Sequence, residues 1–152
     1  MLSIWSALTT VTDPEIPVLN IVDMGIVAGV HLRDDAVVVD MTPTFVGCPA
    51  LDVIRTEMRR AVEAVGEKSV EVRVVFDPPW TSDRLTETGR RRLKEFGLAP
   101  PVQCSGNPAA TIPCPHCDST QTEMESLFGP TLCRSIHYCR NCLQSFEQFK
   151  TL

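Results

Sequence analysis

Long apolar runs, positive charge and histidine are all scarce in this chain of 152 residues. No stretch reaches the roughly 18 apolar residues of a membrane-spanning helix. The first residues lack the basic start of a signal peptide. The formal net charge of −5 offers no basic surface of the kind that nucleic acid requires. We therefore expect a cytoplasmic protein that binds neither membranes nor nucleic acid.

Motifs that carry catalysis are missing as well. The chain has 3 histidines, and only His31 precedes the cysteine-rich part. The sequence contains no His-Glu-x-x-His motif, no recognisable Ser-His-Asp set and no glycine-rich phosphate loop. Because 43% of the residues are hydrophobic, the chain is expected to fold. These features favour a metal-binding accessory protein over an enzyme with an activity of its own.

The 7 cysteines are the exception to this ordinary picture, and 5 of them fall between Cys114 and Cys142. A segment rich in proline and small polar residues, 99–109, precedes them and has no apolar period. Such a composition is typical of a linker. We therefore predict a first domain over 1–98, a linker over 99–109 and a cysteine-rich module over 110–152.

The first domain alternates between helical and strand-like patterns. Residues rich in β-branched side chains flank an Asp-Asp turn, and apolar residues later recur at helical spacing. The fold class expected is α+β, a small two-layer α/β sandwich followed by the cysteine-rich module. The predicted elements, in chain order, are a helix from Ser3 to Thr10, a hairpin of Ile26 to Arg33 and Ala36 to Met41, a helix from Cys48-Pro49 to Gly66, a strand from Val70 to Phe76 and a helix from Ser82 to Phe96.

Two C-x-x-C motifs dominate the cysteine-rich module. They are Cys114-Pro115-His116-Cys117 and Cys139-Arg140-Asn141-Cys142, separated by 21 residues. Four thiolates brought together in this way match the tetrahedral coordination of a structural Zn²⁺. An iron–sulfur cluster is the alternative, because four cysteines can hold either centre. The stretch from Leu143 to Lys150 suits the last strand of a zinc ribbon.

Three further residues of the module have open roles. Cys133, His116 and His137 lie within or between the two motifs. Each could replace a ligand, but a free thiol or a surface histidine is the simpler interpretation. The pattern alone does not choose between these roles.

Cys48 is the only cysteine of the first domain and lies where the loop from Thr42 meets the predicted helix. A helix N-terminus favours a thiolate, which makes Cys48 a candidate reactive or metal-handling residue. A small buried residue is the alternative. Asp13, Glu15 and Asp23 offer carboxylates, although turn capping is the simpler explanation for them. Thr42 and Thr44 could cap or hydrogen-bond the loop.

Several longer motifs resemble those of a known family. The domain of SufT-like iron–sulfur assembly factors is similar in four stretches, and together with the ribbon the chain resembles the PaaD (PaaJ) family of bacterial phenylacetate degradation. The four stretches are Asp13-Pro14-Glu15-Ile16-Pro17, Asn20 to Val27, Thr42-Pro43-Thr44-Phe45-Val46-Gly47-Cys48-Pro49 and Phe76-Asp77-Pro78-Pro79-Trp80-Thr81. The ribbon stretch Phe128-Gly129-Pro130-Thr131-Leu132-Cys133 also resembles a pattern of this family.

The resemblance implies an accessory role in the phenylacetyl-CoA 1,2-epoxidase system, which has a di-iron oxygenase and a reductase carrying flavin and a [2Fe–2S] cluster. It implies assistance with iron–sulfur assembly in the reductase. It also implies structural zinc in the ribbon and transient iron or a cluster at Cys48, with Asp13, Glu15 and Thr44 as motif residues. The alternative is an electron-transfer component whose cysteine-rich module carries a cluster. Homo-oligomerisation is left open.

Overall fold

The structure is a computed structural model that describes residues 1–67, 69–102 and 111–151. Residues 103–109 of the predicted linker, together with residue 110, lie outside the described residues. Contacts within the chain group it into two compact units, Met1–Trp80 and Thr81–Leu152. Among the described residues, no helix combines the length and the apolar character needed to cross a membrane.

In the residues that the structure describes, the first unit is a three-stranded sheet with two helices. Strand β2 lies in the centre, antiparallel to β1 and parallel to β3. This arrangement confirms the α+β expectation for the first part of the chain. The elements are α1 (Leu2–Leu8), β1 (Val27–Arg33), β2 (Ala36–Met41), α2 (Leu51–Ala64) and β3 (Val70–Val74).

The hairpin of β1 and β2 forms as predicted. Its turn residues Asp34 and Asp35 have φ angles of 47° and 65°, which are left-handed conformations that aspartate tolerates and that tight hairpins require. The two strands stay in register from Arg33 opposite Ala36 to Gly29 opposite Asp40, and the register shifts between Gly29 and Val27. The Asp-Asp pair is therefore a reliable turn signal.

Helix α2 buries one apolar stripe. Ile54, Met58 and Val62 recur every four residues and are at most 3% exposed, so they share one face of the helix. Because β2 and β3 are parallel, their carboxyl ends meet at one edge of the sheet, where the Val75 N–H donates to the Met41 carbonyl over 2.8 Å. The loop that contains Cys48 leaves from this edge.

The predicted start of α2 at Cys48-Pro49 is wrong. The helix begins at Leu51, with Ala50 as its N-cap. The Leu51 N–H donates to the Cys48 carbonyl over 3.1 Å, which closes a turn before the helix rather than a helical turn. The predicted end is correct, because Gly66 has a φ of 100° and stops the helix.

Among its described residues, the second unit joins one α-helix to a four-stranded sheet of order β4-β7-β6-β5. Strands β5, β6 and β7 form an antiparallel ribbon, and β4 pairs parallel with β7. The prediction for the final strand of the ribbon is correct. The elements are a 3₁₀ turn (Ser82–Arg84), α3 (Glu87–Glu95), β4 (Leu98–Ala99), β5 (Thr122–Ser126), β6 (Arg134–Cys139) and β7 (Gln144–Phe149).

The single helix predicted from Ser82 to Phe96 is in fact two elements. Leu85 is extended (φ −62°, ψ 128°) and separates the 3₁₀ turn from α3. Thr86 caps α3, because its side chain accepts a hydrogen bond from the Gly89 N–H over 3.0 Å. A favourable threonine N-cap therefore starts a new helix inside the predicted one.

Helix α3 and strand β4 belong to the same unit as the ribbon. Leu98 is paired with Glu147, and Ala99, the first residue of the predicted linker, is paired with Gln148. The guanidinium of Arg90 donates to the carbonyl oxygens of Pro101 (2.6 Å) and Ser82 (2.7 Å). The sequence pattern assigns α3 to the first domain, and the predicted boundaries stay predictions.

Candidate metal centre and cysteine loop

Both C-x-x-C motifs fold into the same backbone turn. The Asp118 N–H donates to the Cys114 carbonyl and the Leu143 N–H donates to the Cys139 carbonyl, each over 2.9 Å. Asp118 and Leu143 also have matching φ angles of 59° and 58°. Each turn directs its two cysteines to the same side, and the ribbon brings the two turns together.

The four thiol groups form one cluster. All four sulfur atoms lie within 4.8 Å of one another. The Cys114 and Cys142 sulfurs are 3.7 Å apart, and the Cys117 and Cys139 sulfurs are 3.6 Å apart. A tetrahedral ion with metal–sulfur distances of about 2.3 Å places its sulfurs about 3.8 Å apart. The donor set and its spacing therefore fit one Zn²⁺.

The thiols differ in their readiness to ionise. Exclusion of water raises the pKa of Cys142 to about 12, and burial also raises the pKa of Cys114. Hydrogen bonds from the Ser119 backbone N–H and from the Asn141 side chain lower the pKa of Cys117 to about 6. Four thiolates this close would repel one another, so only a bound cation allows all of them to be ionised together.

A small apolar cluster surrounds the inner two thiols. Cys114 and Cys139 are 0% exposed and pack with Ala99 and Phe146, with Ile112 at the margin. Little large apolar surface is available here, so burial alone provides a weak core. A metal ion cross-linking the two turns supplies the stability that this core lacks.

Three residues whose roles are open in the sequence lie outside the four-thiol cluster. They are Cys133, His116 and His137, and among the described residues no other group of three or more potential ligands surrounds a common point. The Cys133 sulfur is 3.2 Å from the Thr131 hydroxyl oxygen. His137 is buried, its ring nitrogen lies 3.1 Å from the Ser135 hydroxyl, and burial lowers its pKa.

Sequence reasoning missed the contribution of Asn141. Its side-chain amide donates to the Cys117 sulfur over 3.6 Å, which stabilises the thiolate. The signal was available, because Asn141 is an amide-bearing residue between the two cysteines of the second motif. Spacing rules consider the cysteines alone and therefore overlook it.

Leu143 has a backbone conformation that leucine disfavours. Its φ is 58° and its side chain is 70% exposed, so little packing offsets the strain. We expect Leu143→Asn to stabilise the metal-loaded protein by roughly 0.5–1 kcal/mol, because asparagine tolerates the left-handed region. Urea unfolding measures this change. Leu143→Val is the matched control and should destabilise the protein, and equal midpoints for the two variants would contradict the strain argument.

Cys48 lies in an irregular loop at the carboxyl edge of the first sheet. It is half-buried, as is Thr44, and Gly47 between them has a φ of 86°. The Cys48 N–H donates to the Phe45 carbonyl over 3.3 Å. Because α2 begins only at Leu51, the helix N-terminus is three residues beyond the thiol. The loop turn rather than the helix therefore holds Cys48.

Thr42 is the most buried polar residue at the start of this loop. It is 1% exposed, and its N–H donates to the Ile26 carbonyl over 2.8 Å. Its hydroxyl oxygen has no hydrogen-bond partner among the described residues. The loop thus retains an unsatisfied polar atom beneath it.

The carboxylates named from the sequence have structural contacts. The Asp13 carboxylate accepts hydrogen bonds from the backbone N–H groups of Glu15 (2.7 Å) and Ile16 (3.0 Å), and Asp13 is 8% exposed. Asp23 accepts a hydrogen bond from the Asn20 side chain over 2.7 Å, whereas Glu15 is exposed. The described residues do not bring Asp13, Glu15 and Cys48 together as a ligand cluster.

Two family models match separate parts of this chain. Residues 99–150 match the PaaD zinc beta ribbon domain, and residues 3–74 match the iron–sulfur cluster assembly protein family. The first match includes the four-thiol cluster, and the second includes the Cys48 loop. Together the two matched ranges include both candidate sites.

Relatives resemble either the whole chain or its first part. An Escherichia coli (strain K12) protein, named as a putative subunit of 1,2-phenylacetyl-CoA epoxidase, is 38% identical over 98% of this chain and 92% of its own length. An "Fe-S protein maturation auxiliary factor" of Porphyromonas gingivalis (strain ATCC BAA-308 / W83) is 44% identical over 57% of this chain and 83% of its own. The Bacillus subtilis (strain 168) factor YitW is 38% identical over 60% and 90%.

Solved structures resemble this chain over about three fifths of its length. The DUF59 domain from Bacillus anthracis superposes with a TM-score of 0.55 at 31% identity, and it covers 59% of this chain and 87% of its own. A conserved hypothetical protein from Thermotoga maritima superposes with a TM-score of 0.52 at 32% identity, over 64% and 93%. The fold expected for the first domain is therefore confirmed.

Proposed function

The chain belongs to the PaaD family, which joins an iron–sulfur cluster assembly domain to a zinc ribbon, and we propose that it is an accessory maturation factor for the phenylacetyl-CoA 1,2-epoxidase system. Its client would be the reductase component, whose [2Fe–2S] cluster it helps to assemble or insert. The observation that carries this proposal is the pairing of a full-length relative named as an epoxidase component with relatives named as maturation factors.

The two units would have different roles in this function. The ribbon cysteines Cys114, Cys117, Cys139 and Cys142 would hold zinc as a structural ion, since the four sulfurs already lie within 4.8 Å of one another. Zinc bound there supplies a cross-link between two turns and no redox chemistry. This leaves the first unit as the place where iron or a cluster would be handled in transit.

Cys48 is the residue we assign to transfer. It is half-buried in a loop, and a site with few protein ligands can exchange them. Thr44 lies in the same loop and is half-buried. Asp13 would act by shaping its own turn, because its carboxylate holds two backbone N–H groups. Glu15, which is exposed, would contact the client.

Cys48→Ala is the direct test of this function. The variant should keep its fold and its zinc but lower the cluster occupancy of the reductase client by roughly tenfold, since the loss of one essential ligand stops transfer. Iron and acid-labile sulfide measured in the purified client report the occupancy. Cys133→Ala is the matched control, because Cys133 is also half-buried and lies outside the four-thiol cluster. Equal client occupancy for both variants would refute the role of Cys48.

A second candidate is a stable electron-transfer component of the epoxidase with a cluster in the ribbon. The relative named as an epoxidase component favours it, and four thiolates serve iron–sulfur centres as well as zinc. Metal analysis and the visible spectrum of protein purified without oxygen separate the two candidates. One zinc per chain without visible absorption supports maturation, whereas iron, sulfide and visible absorption support electron transfer.

A further inference from the structure

The loop that joins β5 to β6 exposes a group of large apolar side chains. Leu127, Phe128 and Leu132 are 53%, 74% and 52% exposed. Three such residues fall within six positions of the chain, whereas exposed apolar residues on a protein surface are normally scattered singly. We call these three residues, together with Lys150, the ribbon knob.

The backbone of the knob is held in one conformation. The Gly129 N–H donates to the Arg134 carbonyl over 3.0 Å, and the Arg134 N–H donates to the Thr131 carbonyl over 3.1 Å. The Phe128 N–H and carbonyl both bond to the Ser126 hydroxyl, over 3.0 and 2.9 Å. The loop is thus tied internally while its apolar side chains remain outside.

Gly129 makes this conformation possible. A Cβ atom added at Gly129 would lie 2.9 Å from the Arg134 carbonyl oxygen, which is closer than such atoms approach. The neighbour is backbone and cannot move aside. The glycine of the family-like stretch is therefore explained by a close approach that fixes the knob.

A single cation belongs to the knob. The Lys150 ammonium donates to the Leu132 carbonyl over 2.9 Å and lies 5.7 Å from the centre of the Phe128 ring. Lys150 therefore joins the Leu132 backbone to the Phe128 ring. The loop residues 126–133 carry no charged side chain, so the knob presents apolar surface with one positive charge.

We propose that the ribbon knob inserts into an apolar pocket bordered by carboxylates on a partner protein. A fixed apolar projection loses little conformational entropy on binding, which is how a small contact gains affinity. The exposed Phe128 ring would be the anchor, as aromatic residues are at protein interfaces. Lys150 would favour a pocket bordered by carboxylates, because their negative charge complements its ammonium group.

A second copy of this chain fits the knob less well. A groove of about 380 Å³ in the same unit is lined in part by Phe96, Ile136 and Phe146. Its one carboxylate, Glu147, is already paired with Arg134 over 2.8 Å, and His116 also lines the groove. The groove therefore offers Lys150 no uncompensated negative charge.

A lipid surface is also disfavoured. The chain has a formal net charge of −5, which anionic membranes repel, and the knob carries only one cation. Stable attachment to an anionic surface needs several basic residues beside the apolar ones. The chemistry of the knob is therefore better matched to a protein pocket.

Binding measurements with purified epoxidase components test the proposal, which rests on the proposed function for the choice of these partners. The reductase and the oxygenase of the phenylacetyl-CoA epoxidase serve as the two probes, each titrated against the full chain. The double variant Phe128→Ser, Leu132→Ser should raise the Kd for the component that binds by at least about tenfold. Leu32→Ser is the matched control, because Leu32 is 67% exposed in the first unit, and its Kd should be unchanged.

Charge variants test the rim. Lys150→Glu should raise Kd by roughly tenfold and make binding less dependent on salt. Lys150→Arg keeps the positive charge, so its Kd and its salt dependence should match those of the wild-type chain. All variants should keep their zinc and their circular dichroism spectrum. An unchanged Kd for the double variant, or no binding of the wild-type chain to either component, would overturn the proposal. The proposal would also be overturned if the wild-type chain floated with phosphatidylserine vesicles and the double variant did not, because the knob would then bind lipid.

The same measurements also separate the knob from the role of Cys48. Cys48→Ala should bind the component normally while lowering client cluster occupancy. If occupancy is unaffected by Cys48→Ala but binding is lost in the double variant, the knob proposal stands and the transfer role of Cys48 fails. The opposite result leaves the transfer role standing and refutes the knob.

Discussion

Replacing Cys114 by serine is expected to release the metal and to unfold the whole second unit, including α3. Cys114 is fully buried within the four-thiol cluster, and zinc binding contributes on the order of 10–16 kcal/mol in zinc-finger peptides. Helix α3 should follow the ribbon because Lys94 is paired with Asp118 beside the first turn and β4 pairs with β7. We expect a loss of about 5 kcal/mol or more of local stability.

Hydrogen exchange with mass spectrometry, together with metal analysis, measures this effect. Amides of residues 82–99 and of the ribbon should lose protection, while those of β1, β2 and α2 keep it. Cys133→Ser is the control and should retain one metal per chain. Protection of α3 that survives metal loss would instead place this helix with the first domain, as the predicted boundary at residue 98 requires.

Trp80→Ala is expected to destabilise the first unit by about 3–5 kcal/mol, the usual cost of removing a buried aromatic side chain. Trp80 is 6% exposed, and its indole N–H donates to the Met24 carbonyl over 3.0 Å. The residue thus ties the end of the unit to the segment before β1. From the sequence, Trp80 could be either a buried core residue or an exposed contact residue. Its burial shows that it is a core residue.

Trp80→Phe separates packing from hydrogen bonding. This variant keeps most of the apolar volume but leaves the Met24 carbonyl without its indole donor, so we expect a loss of about 1–2 kcal/mol. Urea unfolding followed by circular dichroism measures both variants. A cost below about 1 kcal/mol for Trp80→Ala would show that burial of the ring contributes little to the fold.

Local signals in the sequence predicted much of this structure. Asp34-Asp35 marked the hairpin turn, Gly66 marked the end of α2, and the paired C-x-x-C motifs located the ribbon. These features succeed because turn chemistry, helix termination and ligand spacing each depend on a few neighbouring residues. The prediction of the start of α2 was wrong because it also relied on neighbouring residues alone. Proline after Cys48 is as compatible with a turn as with a helix.

The sequence by itself determined the composition of both candidate sites, namely four cysteines at metal-ligand spacing and one cysteine in a glycine- and proline-containing loop. Only the tertiary structure decided what surrounds them. Three of these features join residues that are distant in the chain: the 3.6 and 3.7 Å sulfur separations, the Asn141 bond to Cys117 and the pairing of β4 with β7. The fourth is the exposure of the apolar side chains in the ribbon knob. Such contacts depend on how strands register and pack, and no local pattern encodes that geometry.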